Sequence, residues 1–87
     1  MKAVTLYTTP WCPYCVRAKH LLASKGVEFE DKDVSRAPAL KKEMVKRSGR
    51  QTVPQIWIGT EHIGGCDELY ALERSGRLEP MLTATSA

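Results

Sequence analysis

The chain has 87 residues, of which 43% are apolar, and this suffices for the single modest core of one domain. Its net charge of +3 arises from 13 basic and 10 acidic residues interspersed along the chain, which does not indicate a nucleic-acid-binding protein. No stretch has the apolar length that crosses a bilayer, and residues 1–5 lack the apolar core of a signal peptide. With an odd count of three cysteines, these features predict a cytoplasmic protein that binds no membrane.

The first predicted elements are a strand and a helix. Residues 3–8 are β-branched and aromatic, which predicts a buried strand, and Pro10 prevents its continuation. Apolar residues then recur at helical spacing over residues 13–25, and Gly26 follows as a stop signal.

The later elements alternate between strand and helix patterns. Strands are predicted over 27–34, 53–59 and 62–63, and helices over 37–47, 66–75 and 78–82. Ser35 is expected to cap the second helix. We predict one domain over residues 1–82 and a disordered tail over 83–87.

The order of these elements predicts the fold class. A helix joins the first two strands, which implies a parallel pair with a right-handed crossover. The later hairpin adds antiparallel strands. We therefore predict an α/β protein with a four-stranded mixed sheet and helices on both faces.

The stretch Cys12-Pro13-Tyr14-Cys15 places two thiols at the start of the first helix. Pro13 suits the first helical position, where its missing N–H would have no partner anyway, so Cys12 is predicted at the N-cap. Free N–H groups and the helix macrodipole favour a thiolate there, and the thiolate is the nucleophilic form. Cys15 lies on nearly the same helix face and can attack a mixed disulfide on Cys12. We predict an attacking and a resolving thiol, as in thioredoxin-like redox motifs.

Other uses of the two cysteines are open on the residues alone. A zinc site would need further ligands from Cys66, His20 and His62, and the sequence has no second C-x-x-C or H-x-x-x-H pair, so no metal is expected. A structural disulfide with a two-residue spacer would constrain the unfolded chain little. Two inert buried cysteines are the third alternative.

Three motifs resemble the dithiol glutaredoxins over essentially the whole chain. They are Tyr7-Thr8 with the C-P-Y-C stretch, Thr52-Val53-Pro54-Gln55-Ile56-Trp57-Ile58, and Ile63-Gly64-Gly65-Cys66-Asp67-Glu68-Leu69. The resemblance implies a thioredoxin fold, reduction by glutathione as co-substrate, and electron delivery to protein disulfides and glutathione mixed disulfides.

The resemblance also implies a role for each matching residue. Cys12 would be the nucleophile, and Cys15 would resolve protein disulfides. The glutathione site would comprise Tyr14, Lys41, Thr52, Val53, Pro54, Gly65, Cys66 and Asp67. Val53 would pair its backbone with glutathione as an added strand would, next to a cis bond at Pro54.

The charged ends of glutathione would meet residues on two helices. Cys66 and Asp67 would receive the γ-glutamyl end at the start of the third helix, with Asp67 at the ammonium. Lys41 would meet the glycine carboxylate. One position departs from the family pattern: Thr9 stands where many members carry lysine, so Lys41, Arg47 or Arg50 would have to compensate.

Two further functions compete with this interpretation. One is a redoxin coupled to thioredoxin reductase, and the other is a dimer that shares an iron–sulfur cluster through Cys12 and glutathione. The partners expected from the resemblance are glutathione and disulfide-containing or glutathionylated proteins. The protein is expected to be a monomer.

Overall fold

The computed structural model describes residues 2–83, which form one four-stranded sheet in the order β2-β1-β3-β4. The strands are β1 (Val4–Thr8), β2 (Phe29–Asp33), β3 (Gln55–Ile58) and β4 (Glu61–Gly64). The helices are α1 (Pro13–Ser24), α2 (Pro38–Ser48), α3 (Cys66–Arg74) and α4 (Leu78–Thr83). None of these helices is long and apolar enough to cross a membrane.

The sheet combines one parallel pair with two antiparallel pairs. β1 runs parallel to β2, and α1 connects them. β1 also pairs antiparallel with β3, and β3 pairs antiparallel with β4. The predicted mixed sheet is therefore confirmed, with β1 at its centre and its carboxyl end next to the start of α1.

The core lies in two layers, one on each face of the sheet. Side chains alternate along a strand, so Leu6 and Ile56 pack with α1, α3 and α4, while Tyr7 and Trp57 pack with Met44 of α2. The prediction of helices on both faces is confirmed. Both layers enclose the strands that carry the loops of the site.

The predicted cap of the second helix was wrong. Ala37 is the N-cap of α2 and makes no side-chain cap bond. Ser35 instead donates from its backbone N–H and its hydroxyl to Asp33 Oδ1, at 2.9 and 2.5 Å. Because this local turn uses the Ser35 side chain at the end of β2, α2 begins with Pro38, which needs no N–H partner.

Several element ends also differ from the predictions. β3 begins at Gln55, because the preceding Pro54 has no N–H to donate to a sheet. The bond between Val53 and Pro54 is cis, as predicted. α4 includes Thr83, which the predicted tail contained. Residues 84–87 of that tail lie outside the described residues.

Candidate active site

Cys12 occupies the loop between the end of β1 and the start of α1. Its backbone is extended, with φ −89° and ψ 114°, and Pro13 begins the helix, so the predicted N-cap position is confirmed. The backbone N–H of Cys15 donates to Cys12 Sγ at 3.2 Å. An N–H directed at the sulfur stabilises negative charge there, as expected for a nucleophilic thiolate.

The two sulfurs differ in their access to solvent. Cys12 is half-buried, whereas Cys15 is 0% exposed. Burial first, and then the hydrogen bond with Cys12, raise the pKa of Cys15 to about 12. At neutral pH Cys15 is therefore a protonated thiol, and Cys12 is the sulfur that an external disulfide can reach.

A groove of about 240 Å³ lies beside Cys12, between the cis-proline loop and the start of α3. It is lined by Tyr14, Arg50, Thr52, Val53, Pro54, Gln55, Gly65, Cys66, Asp67 and Glu68. Cys12 Sγ lies 3.8 Å from the carbonyl oxygen of Val53, which connects the sulfur to this groove. The structure thus brings together all the predicted glutathione-site residues except Lys41.

Comparison with known proteins identifies this arrangement. The sequence model of the glutaredoxin family matches residues 4–63. The chain belongs to the glutaredoxin family. It is 54% identical to a glutaredoxin of Pseudomonas aeruginosa over 84 residues, which are 97% of this chain and 100% of that protein.

Solved glutaredoxin structures share the fold. The solution structure of glutaredoxin from Brucella melitensis superposes with a TM-score of 0.86 at 55% identity, covering 100% of this chain and 95% of that one. The crystal structure of a buckwheat glutaredoxin–glutathione complex gives 0.85 at 32% identity, covering 92% and 76%. The predicted thioredoxin fold is confirmed, and family membership makes the protein a thiol–disulfide oxidoreductase.

Lys41 lies apart from the groove of this glutaredoxin. It lines a separate shallow surface on α2 with Pro38, Lys42, Val45 and Lys46. The helix phase decides this, because a lysine on the outer face of α2 cannot also face the cis-proline loop.

Arg50 is the cation among the groove-lining residues within 2–83. It follows Gly49, which ends α2 in the left-handed conformation with φ 72°. Arg47, the other candidate, donates to the Tyr7 hydroxyl at 2.7 Å and lies 4.3 Å over the ring of Trp57. Arg47 is exposed, and its guanidinium is engaged with the side chains of Tyr7 and Trp57. Arg50 therefore supplies positive charge to the groove.

The start of α3 is held by Glu68. Its Oε1 accepts from the backbone N–H of Gly65 at 2.7 Å and from Arg50 at 3.0 Å. The pKa of Glu68 is lowered, and the hydrogen bond from the Gly65 N–H is the main cause. Gly64, with φ +113°, lets the chain pass close to this carboxylate. These contacts fix the position of Cys66, whose burial raises its thiol pKa.

Sequence reasoning missed two residues behind the cis-proline loop. Gln55 is 1% exposed and donates to the Thr52 carbonyl at 2.9 Å and to Thr52 Oγ1 at 3.2 Å. Its Oε1 lies 2.8 Å from His62 Nε2. The sequence feature that could have indicated this role is a glutamine at the start of an otherwise apolar strand, Gln55–Ile58.

The residues required by the zinc alternative do not assemble. Within residues 2–83, no group of three His, Cys, Asp or Glu side chains is placed to hold a metal ion. His20 is exposed on α1, and His62 contacts Gln55.

Proposed function

We propose that this glutaredoxin is glutathione-dependent and reduces both glutathione mixed disulfides and protein disulfides. The observation that carries this proposal is the accessible Cys12 sulfur beside a groove edged by Val53. Val53 precedes β3 and lies outside the strand pairing of the sheet, so an extended peptide can pair with it as an added strand. A buckwheat relative of the same fold has been solved as a glutathione complex, which supports the same ligand here.

The charges of the groove complement those of glutathione, a tripeptide with two carboxylates and one ammonium. The first N–H groups of α3, at Cys66 and Asp67, suit the γ-glutamyl carboxylate, since a helix N-terminus binds anions. The Asp67 carboxylate suits the ammonium. Arg50 takes the role that the resemblance implied for Lys41 and meets the glycine carboxylate, exchanging its contact with Glu68 for the ligand.

For a glutathione mixed disulfide, the exchange needs only Cys12. Its thiolate attacks the glutathione sulfur, and the substrate thiolate leaves and takes a proton from water. A second glutathione thiolate then attacks the glutathione sulfur on Cys12. The products are glutathione disulfide and a regenerated Cys12 thiolate.

For a protein disulfide, Cys15 completes the exchange. Cys12 attacks first and forms a mixed disulfide with the substrate protein. Cys15 then attacks Cys12 Sγ, and the substrate leaves as a dithiol. Formation of the mixed disulfide removes the Cys12 charge and hydrogen bond that help to raise the pKa of Cys15, so the resolving thiolate forms more readily at that stage. Two glutathione molecules then reduce the Cys12–Cys15 disulfide.

The test of this division of roles is Cys15→Ser. The variant is expected to keep turnover of a glutathione–cysteine mixed disulfide and to lose reduction of a protein disulfide, with Cys12→Ser losing both activities. His20→Ser is the control and should retain both, because His20 is an exposed residue of the same helix, α1, and does not line the groove. Loss of both activities in Cys15→Ser would show that Cys12 alone does not process mixed disulfides.

The working state proposed is a monomer in the reducing cytoplasm, acting on glutathionylated and disulfide-containing proteins. A reducing compartment is supported by the odd count of three cysteines, whose spacing is not that of a secreted disulfide scaffold. The monomer is supported by the charged edge strand β2, whose sequence FEDKD disfavours edge-to-edge pairing.

A further inference from the structure

Gln55 is a polar residue in an apolar place. It begins β3, whose four residues, QIWI, are all buried, and its own exposure is 1%. A buried amide costs free energy unless all its polar atoms are bonded. Among the described residues, no buried side-chain nitrogen or oxygen lacks a partner, so the surroundings of Gln55 satisfy it fully.

The partners of Gln55 connect two elements. Its amide nitrogen donates to the carbonyl oxygen and to Oγ1 of Thr52, at 2.9 and 3.2 Å. Its amide oxygen lies 2.8 Å from Nε2 of His62 on β4. These contacts form a hydrogen-bonded chain from His62 through Gln55 to Thr52, behind the loop whose Val53 carbonyl faces Cys12 at 3.8 Å.

His62 is itself held in place. It is the register partner of Trp57, and their rings stack with centroids 4.6 Å apart. Since the amide nitrogen of Gln55 faces the Thr52 oxygens, its oxygen must accept, and Nε2 of His62 carries the proton. Burial first, and then the Arg50 charge, lower the pKa of His62, so the ring is a neutral donor at neutral pH.

We infer that Gln55, oriented by His62, is a positioning residue that holds Thr52 and Val53 in the conformation that pairs with glutathione. The inference rests on the proposed function, because the peptide that pairs with this loop is glutathione. A loop without these bonds samples other conformations, and the apparent affinity falls with the fraction of molecules in the competent one. Cys12 keeps the hydrogen bond from the backbone N–H of Cys15, because that contact does not involve this chain of bonds.

Steady-state kinetics of Gln55→Leu on a glutathione–cysteine mixed disulfide tests the inference. We expect KM to rise about tenfold, the loss expected when a buried pair of hydrogen bonds is removed. We expect kcat to stay within about twofold, since the attacking group is unchanged. Ile56→Val is the matched control: it removes a methyl group from the next core residue of β3, lowers stability, and should leave KM unchanged.

A second variant separates the hydrogen bond from the packing. His62→Phe keeps a ring on Trp57 but removes the donor to Gln55, so KM should rise about threefold. Since Phe is compatible with this half-buried strand position, the variant carries the test if Gln55→Leu fails to fold. An unchanged KM in a folded Gln55→Leu or His62→Phe would overturn the inference.

Backbone ¹⁵N relaxation in the reduced protein, without glutathione, gives a readout independent of activity. The order parameters of the Thr52 and Val53 amides should fall from the rigid range of about 0.85 to below about 0.6 in Gln55→Leu and remain unchanged in Ile56→Val. Lower order parameters in a protein whose wild type does not turn over glutathione mixed disulfides would support the positioning role and refute the proposed function. Equal order parameters in Gln55→Leu and the wild type would refute the positioning role.

Discussion

Replacing Gly64 by alanine is expected to destabilise the protein through the start of α3. Gly64 has φ +113°, a conformation that alanine adopts only with strain, at about 1–2 kcal/mol. A Cβ at this position would also lie 3.0 Å from Cδ and Cγ of Glu68, with Oε1 closer still. The Glu68 carboxylate would have to move and give up its bond to the Gly65 N–H, which costs about 1 kcal/mol more.

The expected loss for Gly64→Ala is therefore about 2–3 kcal/mol of unfolding free energy, or about 1–2 M in the urea midpoint. Gly26→Ala is the control, because Gly26 also has positive φ, +71°, but nothing lies within 4 Å of its added Cβ. That variant should lose only about 1 kcal/mol, from backbone strain.

Urea unfolding followed by circular dichroism measures both variants, and isothermal titration with glutathione measures the site. Gly64→Ala should also weaken glutathione binding, because a displaced Glu68 no longer fixes the helix start that carries Asp67. Equal destabilisation by the two substitutions would show that the Glu68 contact contributes nothing. The reasoning about α3 would then be wrong.

Two further predictions follow from thiol burial and from a carboxylate pKa. Iodoacetamide at neutral pH should label Cys12 of the reduced protein first. Cys15 and Cys66 are buried and have raised pKa values, so they should stay unlabelled until urea unfolds the protein. Labelling of Cys15 as fast as that of Cys12, measured by peptide mass, would contradict this. Bonds from Tyr7 first, and then Lys32, lower the pKa of Glu43. Its stabilisation is therefore present above the unfolded pKa of about 4.3 and is lost as the pH falls through the folded value. Glu43→Gln should flatten the decline in urea midpoint between about pH 5 and pH 3, and an unchanged decline would contradict it.

Local sequence patterns predicted the elements and their order. The helical spacing after Pro13, the apolar runs of β1 and β3, and the short hairpin all correspond to elements in the structure. Such patterns depend on neighbours a few residues apart, which the chain itself places together. The position of Cys12 at the N-cap followed from Pro13 alone, because proline fits the first turn of a helix and little else in it.

The parts that the sequence did not predict depend on distant contacts or on competing local bonds. Lys41 and Arg50 were both candidate cations for the site. The phase of α2 places Lys41 on the outer surface of the helix, whereas Arg50 follows the end of α2 and lines the groove. The partners of Gln55 depend on the register between β3 and β4, which brings His62 beside it. Ser35 was an acceptable cap in isolation, but it bonds to Asp33.

The two tryptophans of the chain occupy opposite environments. Trp11 is 73% exposed and adjoins Cys12 in sequence, whereas Trp57 is 3% exposed between Arg47 and His62. Their fluorescence therefore carries two separable signals, since a water-soluble quencher reaches the exposed Trp11 and does not reach the buried Trp57. Emission from Trp11 can follow each sulfur exchange in real time, while emission from Trp57 reports whether the core beneath remains folded, all without attaching a dye.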